Sequence, residues 1–141
     1  MFRYLLASLV LVAGCGRPPP PKPPPAELEI RGPASFAGSW LTDGELDWYY
    51  RLSIDAEGAL ELAVDRGKLG ACEQRGRLQP TDDPRVYTLV YEKNTCQPEL
   101  GGGPFELRVE SFTGPSLRLA IVGPEGEQRR TYSRAPAPSA E

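Results

Sequence analysis

The chain has 141 residues, a formal net charge of −3 and no histidine. Without imidazole it lacks the commonest general base and the commonest transition-metal ligand, and with no basic excess it has nothing to hold a phosphate backbone, so nucleic acid is not an expected partner. Catalysis would have to run on carboxylates or on a Ser or Lys nucleophile; no motif for these, for a cofactor or for a metal stands in the sequence, and none of the three is expected. Terminal segments aside, about 100 residues remain to pack, which is one domain with one core.

In chain order, Arg3 precedes an apolar run over residues 4–12, which closes on Val12-Ala13-Gly14-Cys15. The run is about half of the roughly 20 apolar residues that a membrane-spanning helix needs, and prolines follow it. An ordinary signal peptide would leave Cys15 as a free thiol, which exported proteins usually avoid. The stretch resembles a bacterial lipobox, in which an aliphatic residue, two small residues and a cysteine end a short signal peptide. The resemblance implies that residues 1–14 are removed, that the Cys15 sulfur takes a diacylglyceryl group and that its new amino group is acylated. Each buried methylene adds about 0.8 kcal/mol, and two or more chains hold stably where one holds reversibly, so Cys15 would be a permanent membrane anchor in the bacterial envelope. Gly16 stands where enteric inner-membrane lipoproteins carry Asp, which points to the outer membrane.

Residues 15–33 read as a tether. Seven of the ten residues from Arg17 to Ala26 are proline; with φ fixed and no amide donors they favour polyproline II, at about 3.1 Å per residue and roughly 30 Å in all. The segment also has the composition of a PxxP ligand, but a stalk beside a lipid anchor already accounts for it. At the other end, residues 135–141 read as a disordered tail.

Between them, over residues 34–134, short alternating runs are cut by Gly, Pro and Asp turns, and no stretch holds a helical period. The pattern predicts strands over residues 35–42, 47–54, 59–65, 72–79, 85–92, 104–112, 116–122 and 128–134. Alternation points Trp48, Tyr50, Leu52 and Ile54 inward, with Leu60, Leu62 and Val64, then Tyr87, Leu89 and Tyr91, then Phe105, Leu107 and Val109, then Leu117, Leu119 and Ile121. Half-buried strands joined by short turns predict an all-β, antiparallel up-and-down meander of eight strands. With Tyr132 on the same parity, inward aromatics are numerous enough to fill the interior once such a sheet closes, since side chains can just close an eight-stranded barrel.

Phe36 and Gly38-Ser39-Trp40 at the start of this domain resemble the opening of lipocalin-like barrels, which include small bacterial lipoproteins and periplasmic inhibitors of secreted proteases. The resemblance implies that Trp40 plugs the barrel floor.

With Cys15 acylated, Cys72 and Cys96 are the remaining thiols in a compartment that favours disulfides, so they are expected to pair. Asp43, Glu45 and Asp47 lie along one hairpin, which is neither the facing pair a glycosidase needs nor the spacing of a calcium loop. Gly101-Gly102-Gly103 lacks the ending of a phosphate loop, and Arg129-Arg130 reads as a solvated strand face. In a meander, alternate connections share an end, which puts both cysteines and the longest loops, 66–71 and 93–103, at the end away from the tether. Loops carry binding groups, so the candidate binding residues are Lys93, Asn94, Gln97, Glu99, Arg66 and Lys68. The expected function is non-catalytic: binding, inhibition or assembly support directed at an envelope protein or polymer. A carrier of a small apolar ligand and a carboxylate-based hydrolase are the alternatives.

The anchor makes a direct prediction. Cys15→Ser blocks processing and moves the protein from the membrane to the soluble envelope fraction, as fractionation and immunoblotting would show; a serine variant that stays with the membrane contradicts the lipobox reading.

Overall fold

The computed structural model describes Gly14, Gly16, residues 18–43 and residues 48–136. Cys15, Glu45 and Asp47, on which the lipobox and acidic-hairpin readings fall, lie outside the described residues.

Every alternating run forms a strand. They are β1 (Gly38–Asp43), β2 (Tyr49–Ile54), β3 (Ala59–Asp65), β4 (Ala71–Pro80), β5 (Val86–Asn94), β6 (Phe105–Phe112), β7 (Ser116–Gly123) and β8 (Gly126–Arg134). Each pairs antiparallel with the next and β8 pairs with β1, so the sheet is a closed up-and-down barrel. Because the side-chain period is two, one face of every strand is committed to the interior. Leu52, Ile54, Leu60, Leu62, Val64, Tyr87, Leu89, Leu107, Val109, Leu117 and Leu119 are buried as their parity requires. Trp48, Tyr91 and Ile121, nearer one end, are partly buried against that core.

Two β-bulges break the parity. In β5, Lys93 pairs with Arg75 and Tyr91 with Gly76, which leaves Glu92 as the extra residue. In β6, Val109 pairs with Leu119 and Ser111 with Arg118, which leaves Glu110 extra and turns Phe112 inward. A bulge inserts one residue and so shifts every later side chain to the other face. Gly76 is required beside the first bulge: a Cβ there would meet the Val90 carbonyl oxygen at 2.5 Å and the Leu89 side chain at 3.2 Å.

The barrel's two ends differ. One is a floor, closed by the chain as it enters. Residues 35–37, expected to begin the first strand, instead lie in and just after a 3-10 turn, Pro33–Phe36, because Pro33 supplies the fixed φ of a helical first position and the Ser35 hydroxyl accepts the Arg31 N–H at 2.9 Å. The turn drops Phe36 into the core, edge-on to Tyr87 and Phe112 at 5.7 and 6.5 Å. Trp40 is fully buried beside them, and its indole N–H donates to the Phe36 carbonyl at 3.0 Å. The Arg134 guanidinium covers its ring at 4.3 Å and donates to the carbonyls of Gly114 and Ala37. Gly38, at φ 137°, leaves room for that arginine; a Cβ would lie 2.7 Å from it. Packing onto the floor starts before residue 34: Ile30 is buried, the Leu28 N–H donates to the Phe112 carbonyl at 2.7 Å, and Glu27 pairs with Arg85 at 2.8 Å.

Removing the floor plug has a predictable cost. Trp40→Ala lowers unfolding free energy by about 3 to 5 kcal/mol, the range for large aromatic truncations in cores, measured by urea denaturation of the soluble domain; a loss below about 1 kcal/mol contradicts the plug.

Candidate functional site

The other end of the barrel is an open mouth. Its rim lies at the ends of β1, β3, β5 and β7 and carries the connections after β3, β5 and β7, while the turns after β2, β4 and β6 sit at the floor. Two of the rim loops carry 3-10 turns, Gly67–Leu69 and Pro98–Leu100.

The loop after β5 is pinned in three ways. Cys72, facing inward at the start of β4, is bonded to Cys96, with Cα atoms 5.0 Å apart. The closed loop of about 25 residues is worth roughly 3.5 kcal/mol by loop-closure entropy. Thr95 exchanges hydrogen bonds with the Glu73 backbone: its N–H donates to the Glu73 carbonyl at 2.9 Å, and its hydroxyl accepts the Glu73 N–H at 2.8 Å. Asn94 Oδ1 accepts both the Gln97 N–H at 2.9 Å and Gln74 Nε2 at 3.1 Å, while its own Nδ2 is buried without a partner. Gln74 completes the network by accepting from the Tyr91 hydroxyl at 3.2 Å.

These contacts sort the candidate binding residues. Lys93 and Asn94 belong to β5 rather than to a loop, since the bulge at Glu92 lets the strand pair on with Arg75 and Gln74. Lys93 points outward to a salt bridge with Glu73, and this contact holds the Glu73 carboxyl below its usual range. Asn94 points inward and braces the loop. Arg66 curls over its own loop, donating to the carbonyls of Gly70 at 3.2 Å and Leu69 at 3.3 Å, and lines the mouth. Gln97 also lines the mouth, whereas Lys68 and Glu99 are exposed on the two 3-10 turns of the rim. The six therefore do not form one cluster.

What the mouth holds instead comes largely from the strands. Two hollows lie inside it, of about 240 and 160 Å³, and share Gln74, Gln97 and Gln128 as their divide. Arg130 lines the smaller one. The expectation of a solvated face for Arg129-Arg130 holds for Arg129, which pairs with Glu110 and Glu127 outside. It fails for Arg130, which shares the inward parity of Tyr132 and lays its guanidinium over the Tyr50 ring at 4.1 Å. The signal was available, since Tyr132 is two residues on.

Burial sets the protonation of this end. It pushes the Tyr91 phenol up to about 12, with Tyr132 adding to the rise and the Arg130 charge opposing it. Burial likewise raises Tyr132, against the pull of the same guanidinium. Both phenols are held above the ordinary tyrosine range and keep their protons at neutral pH, so Arg130 has no phenolate counter-ion there.

Outside the barrel, Arg108, Arg118 and Arg129 interleave with Glu106, Glu110 and Glu127. The lattice covers Ala120, which is fully buried although its parity is outward. Such exposed pairs contribute at most about 1 kcal/mol each. Tyr49 and Leu69, by contrast, stand 60% and 67% exposed at the mouth end. Among the described residues, no group of three His, Cys, Asp or Glu is placed to hold a metal ion. Comparison of the chain with protein-family models, with curated proteins and with solved structures finds no match in any of the three.

The raised phenol has a measurable consequence. Unfolded Tyr91 ionises near 10 and the folded one near 12, so the folded state keeps a proton that the unfolded state releases, and stability falls as pH rises through that window. The loss attributable to Tyr91 is about 2 to 3 kcal/mol. Urea midpoints between pH 9 and 12 should decline more shallowly in Tyr91→Phe than in the parent; parallel slopes contradict the assignment.

Proposed function

We propose that this protein is a lipid-anchored, non-catalytic binding module of the bacterial envelope, and that the mouth end of its barrel meets a protein or polymer there as an inhibitor or assembly accessory. The anchor rests on the likeness of Val12-Ala13-Gly14-Cys15 to a lipobox. The direction of presentation rests on the floor contacts of Leu28, Ile30 and Glu27, which put the tether at the end opposite the mouth.

The observation that carries the reading is the exposure of Tyr49 and Leu69. They are the large apolar side chains left in solvent on the barrel's described residues, and both lie at the mouth end; Leu28, also exposed, lies on the tether side. Tyr49 and the loop holding Gly67, Leu69 and Gly70 border one surface hollow, and apolar side chains gathered in one place, unlike ones scattered singly, mark interaction surfaces. The disulfide and the Thr95 and Asn94 brackets favour the same end, because a loop ordered in advance loses less entropy on binding. An apolar-ligand carrier fits less well, since Trp40, Tyr87, Phe36, Leu89, Leu107, Leu117 and Val109 pack the interior below the mouth.

A photo-cross-linking amino acid at position 69, compared with one at position 82 on the floor side, tests the reading in intact cells. A discrete adduct from position 69, competed away by excess soluble domain and missing from position 82, is the expected result. Adducts from position 82 alone would move the working surface to the floor.

A further inference from the structure

Most arginine side chains on the outer wall are matched to carboxylates, and Arg51, which has no such match among the described residues, stands exposed in water. Arg75, Arg77, Arg108, Arg118 and Arg129 each have a glutamate within salt-bridge distance. Arg130 faces inward, is half-buried and has no carboxylate partner among the described residues. A guanidinium cannot shed its proton to escape burial, and a buried charge is costly unless it is paired. The Tyr50 face offsets part of that cost, and the Tyr132 phenol takes a hydrogen bond from the guanidinium, but neither supplies a counter-charge.

The hollow in front of it has matching chemistry. Its volume is about 160 Å³, room for about five waters. Arg66 brings a second positive charge, and among the described residues no Asp or Glu lines it. Gln74, Gln97 and Gln128 offer amides, while Tyr50, Leu62 and Val64 form an apolar wall. Bidentate pairing of a guanidinium fork with a carboxylate is the strongest hydrogen-bonded arrangement open to such a site. The apolar wall calls for an organic body attached to the anion, which inorganic phosphate does not have. We propose that this hollow is a binding site for a small organic carboxylate, with Arg130 gripping the carboxylate and the Tyr50–Leu62–Val64 wall holding its organic part. The site is separate from the rim surface through which a macromolecule would dock.

Titration of the soluble domain, residues 27–136 with the disulfide intact, followed by amide and indole NMR shifts, provides the test. The probes are benzoate and glucuronate, with benzamide as the uncharged analogue and inorganic phosphate as the bare anion. At least one of the two carboxylates gives saturable shifts centred on Trp48, Tyr50 and Gln128, at least tenfold tighter than benzamide and phosphate. Arg130→Gln weakens that binding at least tenfold, and Arg130→Lys, which keeps the charge without the fork, weakens it less. Tyr50→Leu serves as a second variant: it keeps Arg130 but removes the ring beneath it, and it alters carboxylate affinity without abolishing it. Saturation by neither carboxylate, equal binding of phosphate, or undiminished carboxylate binding by a folded Arg130→Gln would each overturn the proposal.

Discussion

Strand β8 meets β1 through two described residue pairs, Trp40 with Arg134 and Leu41 with Ser133, and this seam must close a sheet of eight strands. The β1–β2 and β2–β3 ladders have six pairs each. What makes so short a seam sufficient is the cluster built on it. The Trp40 indole is held from below by the Phe36 carbonyl and from outside by Arg134, which also donates to carbonyls on two separate connections. The Ala135 N–H adds one more bond to the Ser39 carbonyl. Aromatic burial and cation–π contact here do the work that ladder hydrogen bonds do elsewhere, and closure removes the edges that an open sheet would present to other chains.

The seam also governs the mouth. Tyr50 on β2 and Arg130 on β8 lie on either side of β1, so their contact exists only because the sheet closes between them. The floor is packed by fully buried side chains, whereas the mouth is lined by amides, phenols and a guanidinium. The same fold thus places its stability at the end where the tether enters and its unspent polar chemistry at the end facing away. Mouth loops can then vary or adapt without loosening the seam.

Most of the architecture was legible in the sequence because alternation is a strong signal when each strand is wet on one side. The strand count, the meander order and the buried place of Trp40 followed from it or from the Gly-x-Trp likeness, and the pairing of Cys72 with Cys96 followed from the count of thiols left once Cys15 is taken as acylated. Three features escaped for local reasons. Bulges at Glu92 and Glu110 leave no mark in a binary pattern, so the inward turn of Phe112 and the strand placement of Lys93 and Asn94 were hidden. Ser35 and Phe36 look like strand residues, but Pro33 and the Ser35 hydroxyl favour a tight turn. Arg130 was obscured by its neighbour: a basic pair reads as solvated, yet a strand sends successive side chains to opposite faces. The mouth was harder to read than the floor because its residues are polar, and hydrophobic parity does not record polar side chains that point inward.

The seam cluster is the claim on which the rest depends, and the chain's two tryptophans allow it to be tested directly. Indole N–H hydrogen exchange, followed by NMR on the disulfide-bonded soluble domain, compares Trp40 at the floor with Trp48 at the mouth. The account predicts that the Trp40 indole proton exchanges only through global unfolding, with the same protection as the slowest backbone amides, while the Trp48 indole exchanges many orders of magnitude faster. Similar rapid exchange of both indoles would contradict a floor closed by Trp40, and with it the division of the barrel into a sealed end and an open one.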